Sequence, residues 1–571
     1  MTTRLLGRLR ALPGYVRWRL TGSPLPSQEA TFERWHEAYD GLLPRRRRGQ
    51  IGVVVEVGGL PSTELAASLQ RQSLTPASVV IVGGSPAVLP FPARQLAADT
   101  PLEVAATVAG GRVTVFVTGD TVLAPHTLAW LASTDADLIY GDEQVDGSEG
   151  ALEIPPFRPA WSPRMLLGHD LAGSVFAVSS AALARLGPPG APAGPGGGLD
   201  LLLHLSEMPL RVAHIPMILS RRTSRAAAPD GIGAAQAAMD RRGIAGEVTA
   251  EASGIRRMRF RPPTRRASVK IVMPTRDRPE LLRRATSGVL GSTRGVSLHL
   301  ILVDNGTRDA AALALLERLS GDSRVTVVAA DEPFNFSRLV NLGAASGPEA
   351  ELLLLLNNDV EVRHPDWLLQ LSGWLDDPGV VGVGPKLLFP GGTVQHAGMV
   401  FGLGGIVGHV GLHEPDSLAP GGLPDVAREV ACLTGACLLV RSGDFTAVGG
   451  LDEALPIDFQ DVDLCLRLRR HLGGDLMYDP TYPLTHVQMG TRDPAEAGGA
   501  AAIALMRARW GRVLEEPDPH YNPHLSLDPS QRMAPIPGRR AERMARLRPR
   551  LVDHRGVART RGTSRPDEAS R

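Results

Sequence analysis

Lysine is almost missing from this 571-residue chain: Lys270 and Lys386 are the only two, so arginine supplies nearly all of the 61 basic residues. Sixty acidic residues match them, and the formal charge of +1 argues against the strongly basic surface by which proteins hold nucleic acid. Cysteine is scarce as well. Cys432, Cys437 and Cys465 are odd in number and show no C-x-x-C spacing. That pattern supports neither a disulfide framework nor a zinc ribbon, and it fits a reducing compartment. No run reaches the roughly 18 apolar residues of a membrane span, and the N-terminus lacks the apolar core of about 7 to 15 residues that marks a signal peptide. These absences predict a cytoplasmic protein.

What is present is a globular composition, 43% hydrophobic and 21% charged, in a length that exceeds one ordinary core. Residues 1–47 form a basic arm in which Leu5, Leu9, Leu12 and Val16 recur at helical spacing among Arg4, Arg8, Arg10, Arg17 and Arg19. The pattern suits peripheral contact with an anionic surface, such as the inner face of the plasma membrane, and equally a solvated arm. Residues 48–225 and 267–515 alternate strand and helix signals, which implies α/β folding with a largely parallel sheet covered by helices. An Arg/Pro/Ala-rich linker, 226–266, joins them, and 516–571 reads as a disordered Arg-rich tail.

In the second segment the apolar strands 269–273, 298–303 and 352–356 each run into a polar cluster: Thr275-Arg276-Asp277-Arg278, Asp304-Asn305-Gly306-Thr307 and Asn357-Asn358-Asp359. Turn chemistry explains any one of these. Three at the C-terminal ends of buried parallel strands is the arrangement by which such sheets collect functional side chains.

With these clusters the chain resembles family 2 glycosyltransferases of the nucleotide-sugar-binding GT-A fold. The resemblance is carried by Ile271–Arg278, Val303–Gly306, Pro333-Phe334-Asn335-Phe336-Ser337, Leu356–Val362, Gln395-His396-Ala397-Gly398, Thr434–Cys437 and Gln460–Arg467, in family order across the second segment. It implies two tandem GT-A (Rossmann-like) domains, the first degenerate, with flexible basic termini. It also implies an inverting, metal-dependent transfer of a sugar from a dTDP- or UDP-sugar to a growing cell-surface polysaccharide or lipid-linked glycan, as in O-antigen and cell-wall rhamnosyltransferases.

The chemistry fits the residue types. A leaving pyrophosphate is stabilised by a divalent cation on a carboxylate, and hard oxygen ligands suit Mn²⁺ or Mg²⁺. Asp359 is the candidate ligand, standing where the family has its D-x-D-like site, and His486 matches a family position near the pyrophosphate. The resemblance assigns Asp304 to the nucleobase, with Pro274, Thr275, Asp277, Asn305, Asn335 and Asn358 in the nucleotide-sugar pocket. A general base must take the proton of the attacking hydroxyl. Asp461, at the start of a helical stretch, is the candidate, and Gln460, Asp463 and His396 are expected on the acceptor side. Gly402–Gly405, flanked by His396 and His409, reads as a mobile loop.

The first segment reads as a faded copy. Gly83 stands where Asp304 stands, Gly198 where Asp461 stands, and Asp120 alone remains at the metal position. The expected role of 48–225 is acceptor binding, chain positioning or dimerisation. The reading from a different class is a non-catalytic glycan- or nucleotide-sugar-binding scaffold.

Overall fold

The computed structural model describes residues 39, 42–44, 50–57, 61–89, 91–145, 157–186, 197–222, 231–251, 254–262, 266–416, 423–487, 499–528 and 548–555. The first sheet uses β1 (Ile51–Glu56), β2 (Ser78–Val82), β3 (Ala93–Leu96), β4 (Val113–Thr118), β5 (Thr121–Leu123), β6 (Leu138–Val145), β7 (Val175–Ser179) and β8 (Leu210–Arg222). A hairpin, β9 (Gly246–Ala250) and β10 (Arg256–Phe260), follows. The second sheet begins with β11 (Ser268–Thr275), β12 (Ser297–Asp304), β13 (Val325–Ala329), β14 (Leu352–Leu356), β15 (Val360–Glu361), β16 (Val380–Leu388) and β17 (Val394–His396). After a two-stranded ribbon, β18 (Met399–Phe401) and β19 (Val407–His409), it is completed by β20 (Arg428–Val430), β21 (Cys437–Arg441) and β22 (Asp475–His486). The last strand, β23 (Arg550–His554), returns to the first sheet.

The two sheets have the same topology. One runs β3-β2-β1-β4-β7-β6-β8 and the other β13-β12-β11-β14-β21-β16-β22. Each step agrees in sense: β1 and β11 are parallel to both neighbours, β7 and β21 are antiparallel, and β6–β8 and β16–β22 are parallel again. Even the short additions correspond, with β5 on β8 matching β15 on β22. The strands form because they are apolar on both faces. β14 is five consecutive leucines, all buried, as a central parallel strand between two helical layers requires.

Two expectations drawn from composition fail. Within 226–266, Ile232–Arg242 is a helix and β9–β10 a packed hairpin. Arg256 is buried and donates to the carbonyls of Leu166 and Leu167 and to Asp170, while the Phe260 ring meets Trp374 edge-on. The tail is not uniformly disordered either. Among its described residues, Tyr521, Asn522, His524 and Leu525 are buried, and β23 adds an edge strand to β8. Polar composition misleads in both cases because buried hydrogen bonds to distant elements help fasten these pieces, and such partners cannot be read from composition. The arm at residues 1–38 and most of Gln531 onward lie outside the described residues.

A polar seam joins the two halves. Arg164 is buried and pairs with Asp377 at 2.8 Å, Asp475 at 2.8 Å and Glu429 at 3.3 Å, all on the second half. Ser162 donates to the same Glu429. Among the described residues no helix is long and apolar enough to cross a membrane.

Candidate active site

The ends of β11, β12 and β14 bring the predicted nucleotide pocket together. Pairing of β11 with β14 stops at Val272, two residues before Pro274, whose ring supplies no N–H to a ladder. Thr275 follows, buried, and its Oγ1 accepts from Asn358 Nδ2 at 3.1 Å. Asp304 closes β12 opposite Thr275 and accepts from the Thr307 amide at 3.0 Å. Asn305 is buried and anchors the floor, donating to the carbonyls of Ala330 and Glu332. Asp277 has a left-handed backbone, φ 53°, and its carboxylate accepts from the amides of Arg308 and Asp309, both at 2.8 Å. Those two amide bonds hold its carboxyl below the ordinary aspartate range. It shapes the pocket wall by holding the Thr307–Asp309 turn. Asn335 is engaged elsewhere: it caps the helix Phe336–Ala345 through the Arg338 amide and donates to the Glu453 carbonyl. The structure gives it a capping role and no contact with Thr275, Asp304 or Asn358.

Past the end of β14, Asp359 Oδ1 lies 3.0 Å from His486 Nε2, an arrangement set by the pairing of Val360 with His486 across β15 and β22. Gln395 Oε1 lies 2.6 Å from His486 Nδ1. An amide oxygen only accepts, so Nδ1 carries a proton, and Nε2 is the ring atom that faces the carboxylate, with Asn357 Nδ2 3.5 Å away from it. A carboxylate oxygen and an imidazole nitrogen 3.0 Å apart are spaced either as a hydrogen-bonded pair or as two ligands of one cation. That distance also matches the separation of adjacent ligands on an octahedral cation, about 3.0 Å for bonds of about 2.1 Å. The donor set therefore fits Mg²⁺ or Mn²⁺. Among the described residues no group of three or more His, Cys, Asp or Glu side chains forms a metal cage, and an ion held here would take further ligands from phosphate oxygens and water.

Asp461 sits in the first turn of the helix Gln460–Leu472. Its Oδ2 accepts from the Gly435 amide and its Oδ1 from the Val462 amide, both at 2.8 Å. Burial nevertheless raises its carboxyl above the ordinary aspartate value, with these amide bonds acting in the opposite direction. Beside it, Gln460 is buried and its Oε1 has no partner among the described residues.

Two acceptor-side expectations meet a different structure. Asp463 is fully buried and bound by Arg467 at 2.7 Å, Arg509 at 2.7 Å and the Trp510 indole at 2.9 Å. It is a structural hub, because a step of two positions after Asp461 on a helix turns the side chain to nearly the opposite face. His396 is also fully buried and lies behind His409. Gly402–Gly405, expected to be a mobile loop, is the tight turn of the β18–β19 ribbon. Gly402 and Gly404 take φ of 79° and 71°, the Gly402 amide bonds to Ile406, and the Gly404 amide bonds to Leu527.

The first sheet carries different residues at the corresponding positions. Register places Arg222 opposite Thr121 on β8–β5, where His486 stands opposite Val360 on β22–β15. By the same logic Glu56, paired with Val82, stands where Pro274 pairs with Val303. Its carboxylate accepts from the Gly197 amide at 3.2 Å, at the helix start corresponding to that of Asp461. Sequence reasoning missed both, since only the strand register reveals these equivalences. Gln395, part of the Gln395-His396-Ala397-Gly398 motif, also gains a role only through its contact with His486.

Residues 270–401 match the family model described as glycosyl transferase family 2. The chain is 36% identical over 434 residues to an O-antigen biosynthesis protein of Myxococcus xanthus, RfbC, covering 72% of this chain and 34% of that protein. It is 29% identical over 240 residues to an N-acetylglucosaminyl-diphospho-decaprenol L-rhamnosyltransferase of Mycobacterium tuberculosis, covering 38% of this chain and 75% of that protein. Among solved structures it is similar to GalNAc-T7 with UDP, GalNAc and Mn²⁺, at 14% identity and a TM-score of 0.36, over 43% of this chain and 48% of that one. The chain spans about a third of the length of the myxobacterial relative. It carries a domain of glycosyl transferase family 2, built on the second sheet.

Proposed function

We propose that the chain is a metal-dependent, inverting glycosyltransferase that moves a sugar from a dTDP- or UDP-sugar to a growing cell-surface polysaccharide or lipid-linked glycan. The observation that carries this reading is the Asp359–His486 pair, a carboxylate oxygen and an imidazole nitrogen 3.0 Å apart beside a strand-end pocket. Asp359 and His486 would hold Mn²⁺ or Mg²⁺, and that ion, when bound, offsets the charge of the departing nucleoside diphosphate. Asp304 accepts from the base, Thr275 and Asn358 line the pocket, and Asp461 accepts the proton of the attacking acceptor hydroxyl. A carboxyl raised by burial suits that task, because a stronger base takes the proton more readily.

The names of the two curated relatives support an O-antigen-like or cell-wall glycan as the product class. The first half, having Gly83, Gly198 and Arg222 at the corresponding positions, is proposed to position the acceptor chain and not to transfer sugar. The reading is tested by calorimetric titration of the protein with UDP and dTDP, with and without Mn²⁺. Binding is expected to require the metal, to vanish in Asp359→Ala and to weaken at least about tenfold in His486→Ala. Nucleotide binding that ignores both the metal and Asp359→Ala would leave the non-catalytic scaffold as the better reading.

A further inference from the structure

Behind the Asp359–His486 pair, two imidazoles form a hydrogen-bond chain with a direction. The Gly398 amide donates to His396 Nε2 at 3.3 Å. A backbone amide only donates, so that nitrogen is bare and the proton of neutral His396 is on Nδ1. His396 Nδ1 lies 2.9 Å from His409 Nδ1. The proton lies between them, donated by His396, so His409 Nδ1 is the acceptor and the His409 proton is on Nε2. Both rings are neutral at pH 7: burial pushes His396 well below the ordinary histidine value and His409 down to about 4, with His486 adding to both effects.

The His409 Nε2–H has no hydrogen-bond partner among the described residues, and the residue, though mostly covered, keeps partial exposure. Its place in the fold matters. His409 pairs with Met399 across the ribbon, and Met399 bridges to Cys432, two residues before Thr434 and the Gly435 amide that holds Asp461. On the other side, Gln395 precedes His396 in the chain and orients His486. These links set the ribbon that carries His409 beside both the strand that orients His486 and the loop that holds Asp461.

We propose that His409 Nε2–H donates a hydrogen bond to a hydroxyl oxygen of the sugar bound between Asp359–His486 and Asp461, with His396 as the positioning residue that sets its tautomer. This rests on the transferase reading. The hydroxyl belongs to the transferred sugar or to the acceptor sugar, and the same experiment separates the two. Wild type, His409→Phe and His409→Gln are titrated with UDP, dTDP, UDP-glucose and dTDP-L-rhamnose in the presence of Mn²⁺. Nucleoside diphosphate release is then followed with and without a lipid-linked glycan acceptor, with a thermal melt for each variant.

In His409→Phe the affinity for bare nucleotide is expected to stay within about twofold. Nucleotide-sugar affinity falls about 10- to 100-fold if the hydroxyl is the donor's, or acceptor KM rises by that factor if it is the acceptor's. His409→Gln, whose amide keeps a donor near the Nε2 position, recovers part of the loss. A Phe variant unchanged in both arms overturns the proposal, as does one that loses bare nucleotide to the same extent, which marks a merely structural ring. Failure of wild type to bind either nucleotide overturns the transferase reading and this inference with it, an outcome distinct from the other two.

Discussion

Asp461 and Asp463 lie two residues apart on one helix and have opposite fates. Asp461 is held by two backbone amides with no cationic side chain on it among the described contacts, whereas Asp463 is closed in by two arginines and an indole. Asp461→Asn is expected to lower turnover by about 10²- to 10⁴-fold while leaving nucleotide affinity intact, measured by product release beside calorimetry. Because its carboxyl is raised, turnover falls with decreasing pH through a limb lying above the ordinary aspartate range, and that limb disappears from the residual activity of the Asn variant. Asp463→Ala leaves Arg467 and the Trp510 indole without their partner in a buried site. A loss of about 3 to 5 kcal/mol is expected in denaturant unfolding, because removing one member of a buried ion pair strands the other. The sequence placed both aspartates at a helix start, but the burial that separates their roles depends on Arg509 and Trp510, some 46 and 47 residues away.

At the scale of elements, the strand ends were readable and the fastenings were not. β14, a pure apolar run, coincides with the strand 352–356 read from the sequence. Strand register cannot be read from one sequence, so Arg222 and Glu56 acquired meaning only when β8 and β1 were paired with their neighbours. The segment after the helix Gly499–Glu515 is the plainest miss. Asp518 accepts from the Phe401 amide at the ribbon, and Asn522 donates to Asp142 at 2.9 Å and to the Arg158 carbonyl at 2.9 Å. A short polar piece thereby ties the ribbon beside the active site to the first sheet. Asn522→Ala is expected to cost about 1 to 3 kcal/mol, since it leaves part of the buried Asp142 carboxylate unpaired. Thermal melts against wild type measure it, and no change would mean that the segment is held by apolar contacts alone.

Across the whole molecule, two sheets of one topology have diverged in chemistry while remaining bolted together. The seam runs through Arg164, one guanidinium answering three carboxylates of the other half. Arg164→Ala strands those acids, of which Asp377 and Glu429 are buried. It is expected to lower stability by about 3 to 5 kcal/mol and to separate the unfolding of the two halves, read as a second transition in calorimetry. A single transition at the wild-type temperature would show that the seam contributes little. The duplication was legible in the sequence because apolar strands keep their spacing after polar residues change. How the halves contact each other was not, because Arg164 meets acids more than 200 residues away.

The account stands or falls on whether the second half alone among the two carries out metal-assisted sugar transfer with Asp461 as base. The most direct measurement is release of nucleoside diphosphate from UDP-, dTDP- and GDP-sugars with Mn²⁺ or Mg²⁺ and a lipid-linked glycan acceptor, comparing wild type with Asp461→Asn. Metal-dependent turnover of a UDP- or dTDP-sugar by wild type, lost in the variant while nucleotide still binds, is the predicted result. Turnover that survives in Asp461→Asn, or that proceeds equally without metal, would contradict it.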